Sequence, residues 1–191
     1  VLGKFSTTQS ATDDSGCTDC PLGQFQDILQ GRSVCKHCAA GKFQDTAGQS
    51  SCQDCPTGRY QTQDGVHVSA DDCTLCDEGK YSDEAGNTLA SDCNDCGKGL
   101  FQDEKGKTSC EECNPGTYNA ATGAAAGSDC LLCGSGTFQD VAGQSDCKDC
   151  NKGWYNGKTG QVGCTGCATG KFATDTAATS NAVCTACGVG K

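Results

Sequence analysis

The sequence predicts small disulfide-rich repeats: an extended rod, or solenoid, of short β-hairpin units with little or no helix. Three observations predict it. All 20 cysteines fall into Cys-x-x-Cys pairs, with none left over. A Gly-x-aromatic motif keeps the same phase along the chain. Finally, Leu, Ile, Val and Phe supply only 23 of the 191 residues, well below the roughly 20% that an ordinary apolar core needs. Cross-links must therefore stand in for a core.

The pairs begin at Cys17, Cys35, Cys52, Cys73, Cys93, Cys110, Cys130, Cys147, Cys164 and Cys184, and 13 to 17 residues separate one pair from the next. Self-similarity at a period near 20 residues marks an array of units that cannot stand alone and must stack. Three residues after the second Cys of each pair stands a glycine, the last of them Gly190, and Gly3 holds the same phase at the start. Two residues after these glycines come Phe5, Phe25, Phe43, Tyr60, Tyr81, Phe101, Tyr118, Phe138, Tyr155 and Phe172. These are all 6 Phe and all 4 Tyr, and the single Trp, Trp154, lies inside one such motif. No aromatic remains for a separate site.

One unit reads Cys-x-x-Gly-x-(Phe/Tyr), a turn, then Cys-x-x-Cys. It is too short for a capped helix with its own connections. Gly-Lys-Phe-Gln-Asp followed by Thr-Ala-Gly reads as a short strand entering a turn. The expected organisation is a partial repeat over 1–20, nine tandem repeats, and the start of a truncated repeat at 188–191. The nine are 21–38, 39–55, 56–76, 77–96, 97–113, 114–133, 134–150, 151–167 and 168–187. Each ring is expected to pack on a neighbouring disulfide and on the next ring. Four units are longer, with added residues at 66–70, 87–91, 124–128 and 179–183. Enlarging a closed loop by a few residues changes its closure entropy by only about 0.2 kcal/mol. These loops are thus open to packing or recognition, and Val66, His67, Val68, Leu89, Ala125 and Asn181 are the candidate contact residues.

Cys-x-x-Cys pairs at this spacing also make zinc sites. Against zinc, every spacer carries the same motif and the lengths do not alternate between two kinds. The chain is acidic, with net charge −10, and dense cysteine suits an oxidising compartment. The economical disulfide pairing joins the second Cys of one pair to the first of the next. It pairs Cys20 with Cys35, Cys38 with Cys52, Cys55 with Cys73, Cys76 with Cys93 and Cys96 with Cys110. It continues with Cys113 to Cys130, Cys133 to Cys147, Cys150 to Cys164 and Cys167 to Cys184. Cys17 and Cys187 are left over. The phase places a Cys just before Val1 and an aromatic just after Lys191, so both are expected to be bridged outside this window.

The motif Cys-x-x-Gly-x-(Phe/Tyr)…Cys-x-x-Cys resembles the ephrin-receptor-like cysteine-rich repeat and is similar to the first half-module of tumour-necrosis-factor-receptor cysteine-rich domains. The resemblance covers the whole chain and implies the same bridging order. The receptor domains alternate this half-module with one bearing crossed bridges, and only the simple kind occurs here. Long uniform arrays of the repeat occur in surface proteins of algae and other protists, including proteins similar to those of flagellar hairs (mastigonemes).

Net charge −10 and a pI near 4.4 argue against phosphate backbones and anionic membranes as partners. No apolar run approaches the roughly 20 residues of a membrane span. Phe-Gln-Asp recurs, ending at Asp27, Asp45, Asp103 and Asp140. An Asp before a turn is expected to bond the backbone. Calcium is the sharper reading of such carboxylates, but no EF-hand or nonapeptide pattern accompanies them, and no cofactor is read here. Lys36, Lys42, Lys80, Lys98, Lys152 and Lys171 recur near the rings and are expected to pair loosely with Asp. His37 and His67 read as exposed loop residues, and the Asp13-Asp14, Asp71-Asp72 and Glu111-Glu112 pairs as solvated. No catalytic constellation is present, so an enzyme is not expected. The expectation is an extracellular structural protein whose partners are copies of itself in a filament or coat, with other surface glycoproteins or O-linked glycan as further partners. Exposed Leu22, Leu29, Leu75, Leu100, Leu131 and Leu132 are expected at its subunit contacts. The alternative is a receptor or adhesion stalk that binds a protein through the longer loops.

Overall fold

The computed structural model describes residues 1–6, 16–29 and 33–188. Gly190, Lys191 and the Asp13-Asp14 pair lie outside them. The chain divides into two compact units. One comprises Val1–Asp77, Tyr81–Asn94 and Lys105–Thr108, the other Glu78–Lys80, Asp95–Glu104 and Ser109–Lys191.

Among the described residues the fold is ten two-stranded antiparallel hairpins and no α-helix. In chain order the strands are Lys4–Phe5 with Thr18–Asp19 (hairpin 1), Gln24–Phe25 with Lys36–His37 (2), Lys42–Phe43 with Gln53–Asp54 (3), Arg59–Tyr60 with Thr74–Leu75 (4) and Lys80–Tyr81 with Asn94–Asp95 (5). There follow Leu100–Phe101 with Glu111–Glu112 (6), Thr117–Tyr118 with Leu131–Leu132 (7), Thr137–Phe138 with Lys148–Asp149 (8), Trp154–Tyr155 with Thr165–Gly166 (9) and Lys171–Phe172 with Thr185–Ala186 (10). The first strand carries the ring, and the second is the x-x of Cys-x-x-Cys. The register sets each ring opposite the residue after the first Cys, as in Phe25 with Lys36 and Phe101 with Glu111. The second Cys then closes the hairpin by donating its N–H to the motif glycine, as Cys55 does to Gly41 at 2.8 Å.

Nine disulfides tie each hairpin to the one before: Cys20–Cys35, Cys38–Cys52, Cys55–Cys73, Cys76–Cys93, Cys96–Cys110, Cys113–Cys130, Cys133–Cys147, Cys150–Cys164 and Cys167–Cys184. Each links the end of one hairpin to the returning strand of the next. Loops of this size contribute about 3 kcal/mol each in the chain-entropy account. Cys17 is half-buried and Cys187 exposed, and neither has a disulfide partner among the described residues.

Three backbone hydrogen bonds recur within the units. The motif glycine donates to the residue after the ring of the next hairpin, as Gly41 to Gln61 and Gly116 to Gln139. That residue's own N–H donates to the following turn, as Gln44 to His67 and Gln139 to Gln161. The turn donates back to a cysteine two hairpins earlier, as Gly48 to Cys20 and Gly143 to Cys113. A hairpin is therefore held by its neighbour and by the hairpin beyond it. This saturates backbone groups that two-residue strands leave unpaired.

The core is small. Phe43 packs with Cys55 and Cys73, flanked by Ala70, so this ring lies on the disulfide that closes the next hairpin. The other rings are half-buried, and Phe172 is exposed. The longer units differ from the sequence expectation. Their extra residues are not free loop: each forms one 3₁₀ turn before the returning Cys, at Ala70–Asp72, Ala90–Asp92, Gly127–Asp129 and Asn181–Val183.

Candidate functional site

The most deeply buried polar side chains follow the rings. Gln26, Gln44, Ser82, Gln102, Asn119, Gln139 and Asn156 are all buried, and Gln26 is 0% exposed. Successive side chains in a strand point to opposite faces, so a ring on one face sends the next residue into its own loop. In five hairpins that residue is a glutamine whose carboxamide spans the loop. Its Oε1 accepts the N–H two residues on: Ile28, Thr46, Gln63, Glu104 and Val141. Its Nε2 donates to the carbonyl before the returning Cys: Val34, Ser51, Asp72, Ser109 and Asp146, at 2.6–3.0 Å. Asn119 and Asn156 are one methylene shorter. They still accept the turn N–H of Ala121 and Lys158, but donate instead to Leu100 and Thr137 in the preceding hairpin.

Asp140 has the backbone hydrogen bond expected of an Asp before a turn. The glutamine before each Asp takes the N–H of the residue that follows it. The available signal was a polar residue at one fixed phase after the rings, in a chain with few apolar residues to bury.

Three of the four aspartates also meet side chains. Lys36 donates to Asp27 at 2.6 Å and Lys148 to Asp140 at 2.6 Å, while Gln53 donates to Asp45 at 2.5 Å. Lys36 and Lys148 also stand 5.8 and 6.0 Å from the Phe25 and Phe138 ring centres. The Lys148 hydrogen bond holds the Asp140 carboxyl below its ordinary value of 3.8, with a backbone hydrogen bond adding to the effect. Lys4 pairs with Asp19 at 3.0 Å, and Lys42 and Lys80 pair with Asp54 and Asp95. Such exposed pairs contribute about 0–1 kcal/mol each.

The candidate contact loops are built elements. The carboxylate before the returning Cys caps the turn. Asp72 accepts from Val68 and Ser69, Asp92 from Thr88 and Leu89, and Asp129 from Ala125 and Ala126. In the fourth, Ser180 caps Ala182 at 3.3 Å. Val66, Val68, Leu89, Ala125 and Asn181 are exposed. His67 is half-buried, with ring nitrogens within 3.4 Å of Gln61 Nε2 and 3.1 Å of Gln63 O. It is anchored in its turn, not fully exposed as expected.

The leucines divide. Leu75 and Leu132 lie against the turn glycines Gly106 and Gly160 two hairpins on, a place filled by Asp19, Asp54, Asp95 and Glu112 in other hairpins. Leu100 is half-buried. Leu22, Leu29, Leu75, Leu131 and Leu132 are all exposed, Leu29 at 67% and Leu132 at 60%. Among the described residues no group of three or more His, Cys, Asp or Glu could hold a metal ion. No helix there is long and apolar enough to cross a membrane. An open polar concavity of about 520 Å³ lies in the loop of hairpin 5, lined by Ser82–Thr88, Ser91, Asp92 and Asn94.

A family model described as tyrosine-protein kinase ephrin type A/B receptor-like matches residues 28–73, 87–130 and 125–154. No curated protein matches the chain. With nine disulfides, receptor-like repeats mark a secreted or surface protein.

Proposed function

Because the chain belongs to the ephrin type A/B receptor-like family, an extracellular cysteine-rich ectodomain, we propose that it serves as a structural repeat protein: the protomer, or part of the protomer, of a filament such as a flagellar hair or surface coat. The observation that carries this reading is the uniformity of the inter-hairpin bonding. The same glycine, ring-following residue and turn make the same bonds in hairpin after hairpin, and each link is reinforced by a disulfide. Repetition of this kind resists extension and offers many equivalent surfaces for copies of the same chain. Catalysis plays no part in the proposal.

A second reading is favoured by one observation. Among the described residues, complete three-residue 3₁₀ turns stand in hairpins 4, 5, 7 and 10. They break the uniformity and present Val66, Val68, Leu89 and Asn181 to solvent. A receptor or adhesion stalk would use such irregular places to bind a protein.

Negative-stain microscopy of native, unreduced material separates the two. Fibres that dissolve only with reductant or denaturant support the filament. Dispersed single particles across the concentration range overturn it and leave the stalk.

A further inference from the structure

The loop of hairpin 5 lacks the carboxamide that spans the loops of hairpins 2, 3, 4, 6 and 8. Ser82 stands where they carry Gln26, Gln44, Gln61, Gln102 and Gln139. Its hydroxyl donates to the Glu84 carbonyl at 3.4 Å and spans neither of the groups a glutamine would bridge. The two backbone groups that a glutamine bridges elsewhere are here the N–H of Glu84 and the carbonyl of Asp92. Neither has a partner among the described residues. Asn87 turns inward but does not replace the glutamine: its Nδ2 donates to Ser82 Oγ at 2.7 Å, to the Glu84 carbonyl at 3.0 Å and to the Arg59 carbonyl at 3.4 Å. The polar concavity opens at this place.

We propose that this concavity binds a primary carboxamide, the side chain of a glutamine or asparagine presented by another polypeptide. Five hairpins show that one carboxamide fits between the equivalent N–H and carbonyl, accepting from the first and donating to the second. Asp83, Glu84 and Asp92 are among its lining residues, so a carboxylate of the same shape meets like charge. A cation cannot accept the Glu84 N–H. A neutral group that both accepts and donates is the chemistry that matches. The site stands apart from the filament reading and holds whether or not the chain polymerises.

The test is amide NMR of the intact, oxidised chain titrated with propionamide, with propionate as the charged control. Propionamide should move the Glu84 N–H progressively over the millimolar range, and propionate should do so at least ten-fold more weakly. The response should vanish in Ser82→Gln/Asn87→Lys, which copies the Gln102 and Lys107 pair of hairpin 6 and fills the place from within. The reciprocal variant Gln102→Ser should gain a response at Glu104. No movement in the native chain, equal movement with propionate, or persistence in the filled variant overturns the proposal and leaves water as the occupant.

Discussion

Gly99 of hairpin 6 lies directly beneath the carbonyl of Gly143 in hairpin 8: a methyl group built on Gly99 would stand 2.1 Å from that oxygen. Gly99 also has φ +78°, which L side chains adopt at a cost of roughly 1–2 kcal/mol. Glycine at this phase thus serves the hairpin two units away as well as its own turn. Gly99→Ala should lower the denaturation midpoint far more than Gly153→Ala. Gly153 has φ +81° but nothing within 4 Å of an added methyl, so its variant should lose only the roughly 1–2 kcal/mol of backbone strain. Equal losses would mean the close approach contributes nothing.

Gln102 is 2% exposed and bridges Glu104 N–H to the Ser109 carbonyl. Gln102→Ala should strand both backbone groups at about 1–3 kcal/mol each. Gln102→Asn should recover only part, because Asn119 shows that the shorter amide keeps the turn N–H but not the carbonyl before the Cys. Urea unfolding with disulfides intact measures both.

Ala177 is the one non-glycine with positive φ among the described residues, at 54°. It occupies the turn phase of Gly143 and Gly160 and donates to the Cys150 carbonyl as they donate to theirs. Ala177→Gly should stabilise the fold by about 0.5–1 kcal/mol, the relief of left-handed strain exceeding the added freedom of the unfolded chain. A lowered melting temperature would contradict this.

Asp140 should titrate below 3.8 because Lys148 donates to its charged form. A depressed folded pKa adds stability above the unfolded value, and that stability is lost as pH falls through the folded one. Lys148→Ala should return the carboxyl toward 3.8 and remove this share of the acid sensitivity. Carboxyl NMR between pH 2 and 6 reads it directly.

Unfolded without reductant, the chain should release at most two thiols, those of Cys17 and Cys187, which have no disulfide partner among the described residues, and a chelator should release no more. All 20 should appear only after reduction. A chelator-dependent rise would return the cysteines to metal.

The hairpin class, the phase of rings and glycines and the lack of an apolar core were legible because they are local. Cysteine spacing and strand alternation need no knowledge of distant residues. The buried glutamines were less legible, because a polar residue beside an Asp reads as solvated until its loop closes around it. The capped 3₁₀ turns were hidden for a related reason. Asp72, Asp92 and Asp129 look like ordinary surface carboxylates until the loop brings two N–H groups onto each.

By itself the sequence determined that this chain is an array of short cross-linked hairpins, since two-residue strands flanked by cysteines can do little else. Only the tertiary structure decided that the hairpins interlock two units apart, through Gly48 to Cys20 and Gly143 to Cys113. The physical reason is that turn and cysteine lie far apart along the chain, and no side chain encodes the bond. It is made between backbone groups, available in every residue but proline, and selected only when stacking brings those two together.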